Sequence, residues 1–483
     1  NKMLNVNEVK LESRIINNST NFVVSSDYVN GSVNGDFRYS TIGKTISNIV
    51  QHYLPALAAA KKTEIHNYDN HVSFDLKIEK TTELSDVLAL PYALDGVSTL
   101  KGSIDEGLNK IDLVVNVPSL KSSKQKINNL TLHINNPNQV LQLISNAQLE
   151  GKKGLTAVSL VASAAKDSVS SHLSWQDLAK MSAVGEIKAI AKFRKQNSKM
   201  AATLSLLPTN IVISDSVWSI HPSTIDFNID STIAIHNFRF DSKTQFIHVD
   251  GLASKNQKDA VTVDLNKVDL GFVLHNILKL KGISFGGIVT GKATLLSLLK
   301  QPVFEANLFV KGAQINHTVI GDAQLFSTWD RPNQQMYITG DFVNDKNVPI
   351  ANAKGVFVPK TDSLDFIIDA HKLNVQFITP YFESVVQNVK GLATGKIRMF
   401  GPSKILGFEG NAFIEEGQGS VKMLKTTYFF NDTIRLKRKT IEFRNITIYD
   451  QEHNPASLNA LMKHNGSFQH MNYDVRIKGS NML

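Results

Sequence analysis

The sequence predicts an all-β fold with a few short helices, built from a repeated unit. Residues 287–292 (GIVTGK) return as 391–396 (GLATGK), and residues 304–309 (FEANLF) return as 408–413 (FEGNAF), each 104 residues later. Two blocks in the same order and at one offset are more than a chance match. A fixed period is typical of chains that stack similar units and act through an extended surface.

Both copies of the repeat alternate between apolar and polar residues, as strands do when their side chains point to opposite faces. In the first copy the apolar parity carries Val289, Gly291, Ala293 and Leu295. The opposite parity carries Ile288, Thr290, Lys292 and Thr294. Between the blocks the alignment slips by one residue and pairs Lys267 with Lys372, Phe272 with Phe377 and Ile277 with Phe382.

The same alternation predicts half-buried strands in much of the chain. They are expected at 72–78, 111–117, 130–134, 233–235, 441–443 and 475–477. Helical spacing is rarer, and the clearest case is 41–57, where Pro55 is expected to end or kink the helix. Shorter helices are predicted at 82–88 and at the paired repeat positions 272–280 and 377–389.

The repeat divides the chain into three sections of one continuous assembly. Residues 1–205 form an N-terminal β section that includes the helix at 41–57, and residues 206–352 form a β repeat section. Residues 353–483 contain the second copy of the repeat and the last strands.

Composition limits the class of protein. A chain of 483 residues with 42% hydrophobic and 20% charged residues can bury a large core. The absence of cysteine excludes disulfides and cysteine-based metal sites. The apolar stretches at 53–60 and 155–165 are too short or too polar to span a bilayer. Because the chain starts at Asn1 without a signal peptide, it is expected to be an internal piece of a longer protein.

The net charge of +9 raises the question of an acidic partner. The densest basic cluster contains Arg435, Lys437, Arg438, Lys439 and Arg444. Such a cluster suits lipid phosphates or a nucleic-acid backbone, but alternation with apolar residues favours an ordinary outward strand face. No nucleic-acid-binding motif accompanies it, so nucleic acid is not an expected partner.

No catalytic or cofactor motif is complete. Residues 286–293 (GGIVTGKA) nearly match a phosphate-binding loop, but Ala293 stands where a magnesium-binding Ser or Thr is needed, and the segment reads as a strand. The 14 histidines lack the short spacing of a zinc motif, and no Gly-x-Ser-x-Gly elbow is present. The sequence therefore predicts no catalytic residues, no metal and no cofactor.

The repeat motif itself resembles a known family. A strand of the form Gly-x-x-x-Gly-x-h-x-h, where h is hydrophobic, is followed after a short gap by Pro-h-Phe-x-Gly/Ala-x-h, here at 287–295 and 302–308. This pattern is similar to the repeat of the AsmA-like family, most closely its TamB-type members, the translocation and assembly module subunits of Bacteroidota. Further similarity lies at 215–223, 321–330 and 428–450.

The resemblance implies a β-taco, an elongated sheet curled into a U-shaped trough that is apolar inside and crosses the periplasm. Family members are thought to carry phospholipids between the inner and outer membranes, and TamB-type members pair with an Omp85-type barrel protein. It implies an inner-membrane anchor in an N-terminal segment that this sequence lacks. The residues expected to line the lipid path are Val289, Ala293, Leu295, Phe304, Ala306, Leu308, Ile397, Phe408, Ala412 and Ile414.

Two other functions fit the sequence. One is an assembly scaffold that offers strand edges to outer-membrane barrel proteins or to an Omp85-type partner. The other is a surface adhesin or an enzyme on a parallel β-helix, which also fits the period and composition.

Overall fold

The computed structural model describes residues 6–16, 19–58, 68–122, 125–151, 154–179, 183–197, 199–213, 216–271, 284–300, 302–383, 385–402, 405–465 and 471–481. Strands account for 71% of the chain and helices for 7%, so the predicted all-β fold class with a few short helices is confirmed. Every pair of neighbouring strands in these ranges is antiparallel. A parallel β-helix, one of the alternatives left open by the sequence, is therefore wrong.

The chain forms two compact units, Asn1–Ser242 and Lys243–Leu483. The division into three repeat sections at residues 206 and 353 stays a prediction. The strands of the first unit are β1 (Val9–Ile16), β2 (Ser19–Ser26), β3 (Val29–Asp36), β4 (His71–Ile78), β5 (Tyr92–Leu94), β6 (Ser98–Asp105), β7 (Lys110–Ser122), β8 (Lys126–Asn135), β9 (Leu141–Gly151), β10 (Gly154–Ala165), β11 (Ser168–Asp177), β12 (Ala183–Gln196), β13 (Lys199–Leu206), β14 (Thr209–Ile213), β15 (Ser216–Ile220), β16 (Ser223–Phe227) and β17 (Ile233–Ser242).

The first unit is a meander in which most strands pair with the strands before and after them in the chain. One exception is β5, which pairs with β7, whereas β4 pairs with β6. The others are two neighbouring rows that are each broken in two. Strand β12 pairs with both β13 and β14, and β17 pairs with both β15 and β16. Pro208 separates β13 from β14, and Pro222 separates β15 from β16. Since proline lacks the N–H that a ladder needs, it interrupts both rows.

Three helices lie in the described ranges of the first unit, and they confirm two predictions. Helix α1 (Ile42–Tyr53) is followed by the single turn α2 (Pro55–Ala58), so the helix predicted at 41–57 breaks where Pro55 stands. Helix α3 (Thr82–Val87) corresponds to the helix predicted at 82–88. A 3₁₀ turn, Pro137–Gln139, joins β8 to β9.

Helix α1 packs across one end of the first sheet. Its Ile49 and Tyr53 are buried against a row of strand residues that lie on one face of the sheet. That row contains Val72, Ile104, Ile111 and Ala164. The turn between β10 and β11 holds the end of the helix, because the Asp167 carboxylate accepts a hydrogen bond from the Ala56 N–H at 2.6 Å.

A buried polar cluster fixes the start of the same helix. The Thr45 hydroxyl and the Asn48 amide donate to the Glu106 carboxylate at 2.8 and 2.7 Å, and the Asn70 amide donates to Thr45 at 2.7 Å. Burial alone raises the pKa of Glu106. Hydrogen bonds from Asn48, Thr45 and the backbones of Asn70 and Tyr68 outweigh that effect and lower the pKa overall.

Replacing this carboxylate is expected to weaken the fold in a pH-dependent way. Glu106→Gln should lower the free energy of unfolding by about 1–3 kcal/mol near pH 7, because donors of α1 lose a charged acceptor. Since the folded-state pKa lies below the ordinary value of 4.5, the carboxylate stabilises the fold above that value. The contribution disappears as the pH falls through the folded-state pKa. Urea unfolding of both proteins between about pH 7 and about pH 3 measures this. A difference between them that does not shrink at low pH contradicts it.

The second unit has an unbroken ladder from its first strand to its last. Its strands are β18 (Gln245–Ala253), β19 (Ala260–Asp269), β20 (Phe285–Leu296), β21 (Val303–Ile315), β22 (Thr318–Asp330), β23 (Gln335–Val343), β24 (Pro349–Val358), β25 (Ser363–Asn374), β26 (Val386–Pro402), β27 (Gly407–Val421), β28 (Thr426–Lys437), β29 (Thr440–Tyr449), β30 (Pro455–His464) and β31 (Met471–Gly479). Each described strand pairs with the next along the chain.

The helix predicted at 377–389 is mostly wrong. A 3₁₀ turn, Gln376–Ile378, leads into the single turn α4 (Thr379–Phe382), and β26 begins at Val386. Pairing of Val386 with Val421 in β27 commits this part of the segment to the sheet. Its counterpart in the first copy, predicted at 272–280, lies outside the described residues.

The repeat is visible in the strand register. Strands β20 and β21 pair Gly291 with Leu308, and β26 and β27 pair Gly395 with Ala412, which is the same pair shifted by 104 residues. One copy of the repeat spans six strands, from β19 to β24, and β25 is the counterpart of β19. The predicted repeat architecture is therefore confirmed at the level of individual residue pairs.

The one-residue slip in the alignment also has a structural counterpart. A bulge in β19 places Lys267 at φ 52°, and a bulge in β25 places Lys372 at φ 58°. The Lys267 N–H donates to the Thr290 hydroxyl at 3.0 Å, and the Lys372 N–H donates to the Thr394 hydroxyl at the same distance. The slip thus marks a bulge that is present in both copies. In each copy a threonine hydroxyl accepts the hydrogen bond from the backbone N–H of the bulged lysine.

Candidate functional site

The second unit carries a continuous apolar face. Residues that lie directly opposite each other in neighbouring strands share a face, and one such row crosses every described strand of this unit. It consists of Ile247, Leu265, Gly291, Leu308, Leu325, Gly340, Ala353, Ile368, Ile397, Gly410, Leu436, Ile441, Met462 and Tyr473. Only the last member has a polar group. With the usual distance between neighbouring strands, this row is roughly 60 Å long.

A second row lies beside the first on the same face. It consists of Val249, Val263, Ala293, Ala306, Ser327, Ile338, Gly355, Phe366, Met399 and Phe408. Only Ser327 is polar in this row, and its hydroxyl donates to the Phe304 carbonyl at 3.1 Å. We call the surface formed by these two rows and the residues of the same parity the apolar face.

All ten residues expected to line a lipid path lie on the apolar face. Six of them come from the adjacent strands β20 and β21, namely Val289, Ala293, Leu295, Phe304, Ala306 and Leu308. The other four, Ile397, Phe408, Ala412 and Ile414, come from β26 and β27. Phe304 and Phe408 lie on the same face of equivalent strands, in agreement with the 104-residue offset and the alternation.

Exposure separates these ten residues into two groups. Val289, Ala412 and Ile414 are buried within the sheet's own packing, and Val289 has no exposed surface at all. Phe304 keeps 40% of its surface exposed, and the other six are half-buried. The second group offers accessible surface on this face, whereas the first group stabilises the sheet.

Sequence reasoning missed most of the apolar face. It found only the strands that carry the matching hexamers and overlooked the contribution of β22 to β25, where Leu325, Ile338 and Ile368 complete the rows. Alternation over those strands was the signal that could have found them. The first unit has a similar row, which was also missed: Leu11, Val24, Gly31, Leu76, Leu100, Val115, Leu132, Ser145, Leu160, Leu173 and Ile187.

The opposite face of the second unit carries cross-strand ion pairs. Arg398 holds both oxygens of Asp365, at 2.8 and 2.7 Å, and this contact lowers the pKa of the carboxyl group. Lys372 lies 2.8 Å from Glu415. Exposed apolar side chains, among them Phe309, Phe326 and Ile367, lie on this face as well. The two faces therefore differ in charge, because the two apolar rows contain no charged residue.

The near-match to a phosphate-binding loop is part of strand β20 and not a loop that opens a helix. Lys292 is exposed on the polar face, and Lys396, its counterpart, lies 3.4 Å from Asp369 on that face. Both copies of this lysine therefore lie on the polar face.

We accordingly expect no ATP binding at this segment. Titration calorimetry of the unaltered protein and of Lys292→Ala should give the same baseline heat, because a strand offers no cradle of N–H groups to a phosphate. Binding that disappears on the substitution contradicts the assignment.

The dense basic cluster separates into two parts. Lys437 and Arg444 both contact Glu442, at 2.7 and 2.6 Å, and together they lower the pKa of this carboxyl group. These two residues therefore belong to the outward strand face predicted for the cluster. Arg438 and Lys439 instead form the exposed turn between β28 and β29.

The first unit has a cleft of about 810 Å³, and the polar residues that line it include Asn146, Ser159, Ser174 and Glu186. Hydrogen bonds from Lys188 and His172 lower the pKa of Glu186 and favour its charged form. Glu186 is thus a poor general acid at neutral pH. In the ranges that the structure describes, no group of three or more metal-ligating side chains comes together.

A scan against protein-family models and searches of curated proteins and of solved structures found no match to this chain. The resemblance to the AsmA-like family therefore stays a proposal. Among the residues that the structure describes, none of the helices combines the length and apolar character needed to cross a membrane.

Proposed function

We propose that this chain is part of a bridge-like lipid conduit of the AsmA-like, TamB-type kind. In this proposal it acts in the periplasm and carries phospholipids between the inner and outer membranes. The observation that carries the proposal is the fourteen-residue row on the apolar face, which runs across the second unit without a charged side chain.

The energetic argument concerns the acyl chains. Each methylene group kept out of water contributes about 0.8 kcal/mol, so exposing an acyl chain of roughly fifteen carbons costs on the order of 12 kcal/mol. A surface that stays apolar from strand to strand lowers this cost along the whole path. Such a conduit needs no chemistry and no cofactor, and we propose that the protein is not an enzyme.

The direct test is native mass spectrometry of the purified chain. Phospholipid should co-purify with it and should be released by detergent. A chain that carries no lipid, and takes up none from phospholipid vesicles, contradicts the conduit.

An assembly scaffold is the second candidate, and one observation favours it. In the described residues β31 pairs only with β30, and its other edge offers unpaired backbone groups. A scaffold should bind an extended peptide from an outer-membrane barrel strand, and bound peptide should slow amide hydrogen exchange in β31. In the full-length protein we propose an Omp85-type barrel as the partner.

A further inference from the structure

The turns along one edge of the second sheet are rich in basic residues. Because neighbouring strands are antiparallel, the turns that follow β18, β20, β22, β24, β26, β28 and β30 all lie at the same edge. Their described basic residues are Lys255, Lys258, Lys300, Arg331, Lys360, Arg438 and Lys439. We call these seven residues the basic rim.

Hydrogen bonds between successive turns support this arrangement. The Leu299 N–H donates to the Ser254 carbonyl at 3.0 Å, which joins the turn after β18 to the turn after β20. At the other end of the rim the His464 N–H donates to the Lys439 carbonyl at 3.0 Å. Successive turns along the basic rim are separated by two strand spacings, about 10 Å.

The charge of this edge is one-sided. The described turns of the basic rim contain seven basic residues but only two acidic ones, Asp259 and Asp362. The described turns of the opposite edge contain four basic residues, Lys243, Lys346, Lys422 and Lys425. They also contain four acidic residues, Asp345, Glu383, Asp450 and Glu452. Scattered solvated lysines would not separate the two edges in this way.

The basic rim also differs from five basic residues of the polar face in its partners. Lys372, Lys396, Arg398, Lys437 and Arg444 on the polar face are each within 4 Å of a carboxylate. Within the described ranges, all seven side chains of the basic rim are exposed and none forms an ion pair. Their positive charge is therefore available to a ligand.

The basic rim adjoins the apolar face. Leu295 of β20 pairs with Phe304 of β21, and a single residue separates each of them from the turn that carries Lys300. Met336 and Leu364 hold the equivalent positions beside the turns of Arg331 and Lys360. An amphiphile whose chains lie on the apolar face places its polar end beside these cations.

We infer that the basic rim binds the phosphate headgroups of anionic phospholipids, and so makes the conduit selective for them. This inference rests on the proposed function, because the headgroup is held at the basic rim only while the acyl chains lie on the apolar face. The selective element is electrostatic, and salt should weaken it.

The test measures selectivity separately from lipid binding. The purified chain is loaded from vesicles that contain equal parts of phosphatidylethanolamine and phosphatidylglycerol, and native mass spectrometry counts both bound lipids. The unaltered protein should favour phosphatidylglycerol by about fivefold or more, the effect of one basic residue near an anionic surface.

Two variants with equal loss of charge provide the comparison. The rim variant combines Lys255→Gln, Lys300→Gln, Arg331→Gln and Lys360→Gln. The control combines Lys292→Gln, Lys346→Gln, Lys354→Gln and Lys422→Gln, which lie on the polar face or at the opposite edge. The rim variant should lose the preference and keep its total bound lipid, and the control should keep both.

Each other outcome overturns the inference. A rim variant that keeps the preference, or a control that loses it, shows that the basic rim does not select the lipid. Lipid binding without preference in the unaltered protein refutes the inference and leaves the conduit intact, whereas absence of any bound lipid refutes both. Loss of the preference in the presence of glycerol phosphate, at a concentration equal to that of the lipid, shows a site for free anions instead.

Discussion

Leu308→Arg is expected to remove bound phospholipid from the chain and leave its β structure in place. Leu308 lies in the middle of the apolar face, opposite Gly291 on one side and Leu325 on the other, and it is half-buried. An acyl chain that crosses this position must pass a charged group, at a cost of several kcal/mol. The arginine side chain itself can extend towards solvent, so the sheet should tolerate it.

The neighbouring residue supplies the control. Asn307→Arg introduces the same side chain in the same strand, but Asn307 is exposed on the polar face. Native mass spectrometry should find lipid on this variant and none on Leu308→Arg, and circular dichroism should report β structure in both. If Leu308→Arg keeps its lipid, or if Asn307→Arg is the variant that loses it, the conduit is wrong and the scaffold takes its place.

Ala412→Arg, the equivalent change in the second copy, is a less clear test. Ala412 is buried in a small cluster with Ala393 and Ile414, so an arginine there disturbs packing as well as the proposed lipid path. Loss of lipid from that variant alone would not separate the two causes.

Gly395→Ala is expected to destabilise the second unit by about 3 kcal/mol or more. Gly395 has φ 155°, and a Cβ atom built on it lies 2.2 Å from the Asn411 carbonyl oxygen of the next strand. Backbone strain of this kind costs about 1–3 kcal/mol, and displacement of the paired strand adds to it. Gly291 has φ 146° and the same distance to the Asn307 carbonyl oxygen, so Gly291→Ala should have an effect of similar size.

Gly312 provides the comparison because it separates conformation from close contact. It has φ 58°, but nothing lies within 4 Å of an added Cβ atom. Gly312→Ala should therefore cost only about 1–2 kcal/mol. Urea unfolding followed by circular dichroism measures all three variants, and equal losses for Gly312→Ala and Gly395→Ala would contradict the role of the close approach.

The repeat was the part of the fold that the sequence predicted best, for a physical reason. Residues that face each other across two strands are constrained together, so a pair such as Gly291 and Leu308 returns as Gly395 and Ala412 at one offset. Helical spacing in a short segment is weaker information. At 377–389 the pattern continued beyond Phe382, but pairing with β27 decided the conformation from Val386 onward.

The candidate site was only partly predictable. Alternation shows which residues of one strand share a face, but it does not show which strands are neighbours. Ile338 and Phe366 become part of the apolar face only because the meander places β23 and β25 between the matching strand pairs β20–β21 and β26–β27. The basic rim was not predictable from the charge cluster at 435–444, since its members come from turns that are far apart in the sequence.

The number of strands in one repeat has a consequence for the growth of such a protein. Six is an even number, so a chain that leaves one copy returns to the same edge of the sheet with its side chains in the same orientation. If this segment is duplicated in the gene, the added strands therefore keep their apolar and polar side chains on the same two faces. Each insertion lengthens the molecule by about 29 Å. Gene duplication can therefore change the width of the sheet in steps of that size without a new type of connection between strands.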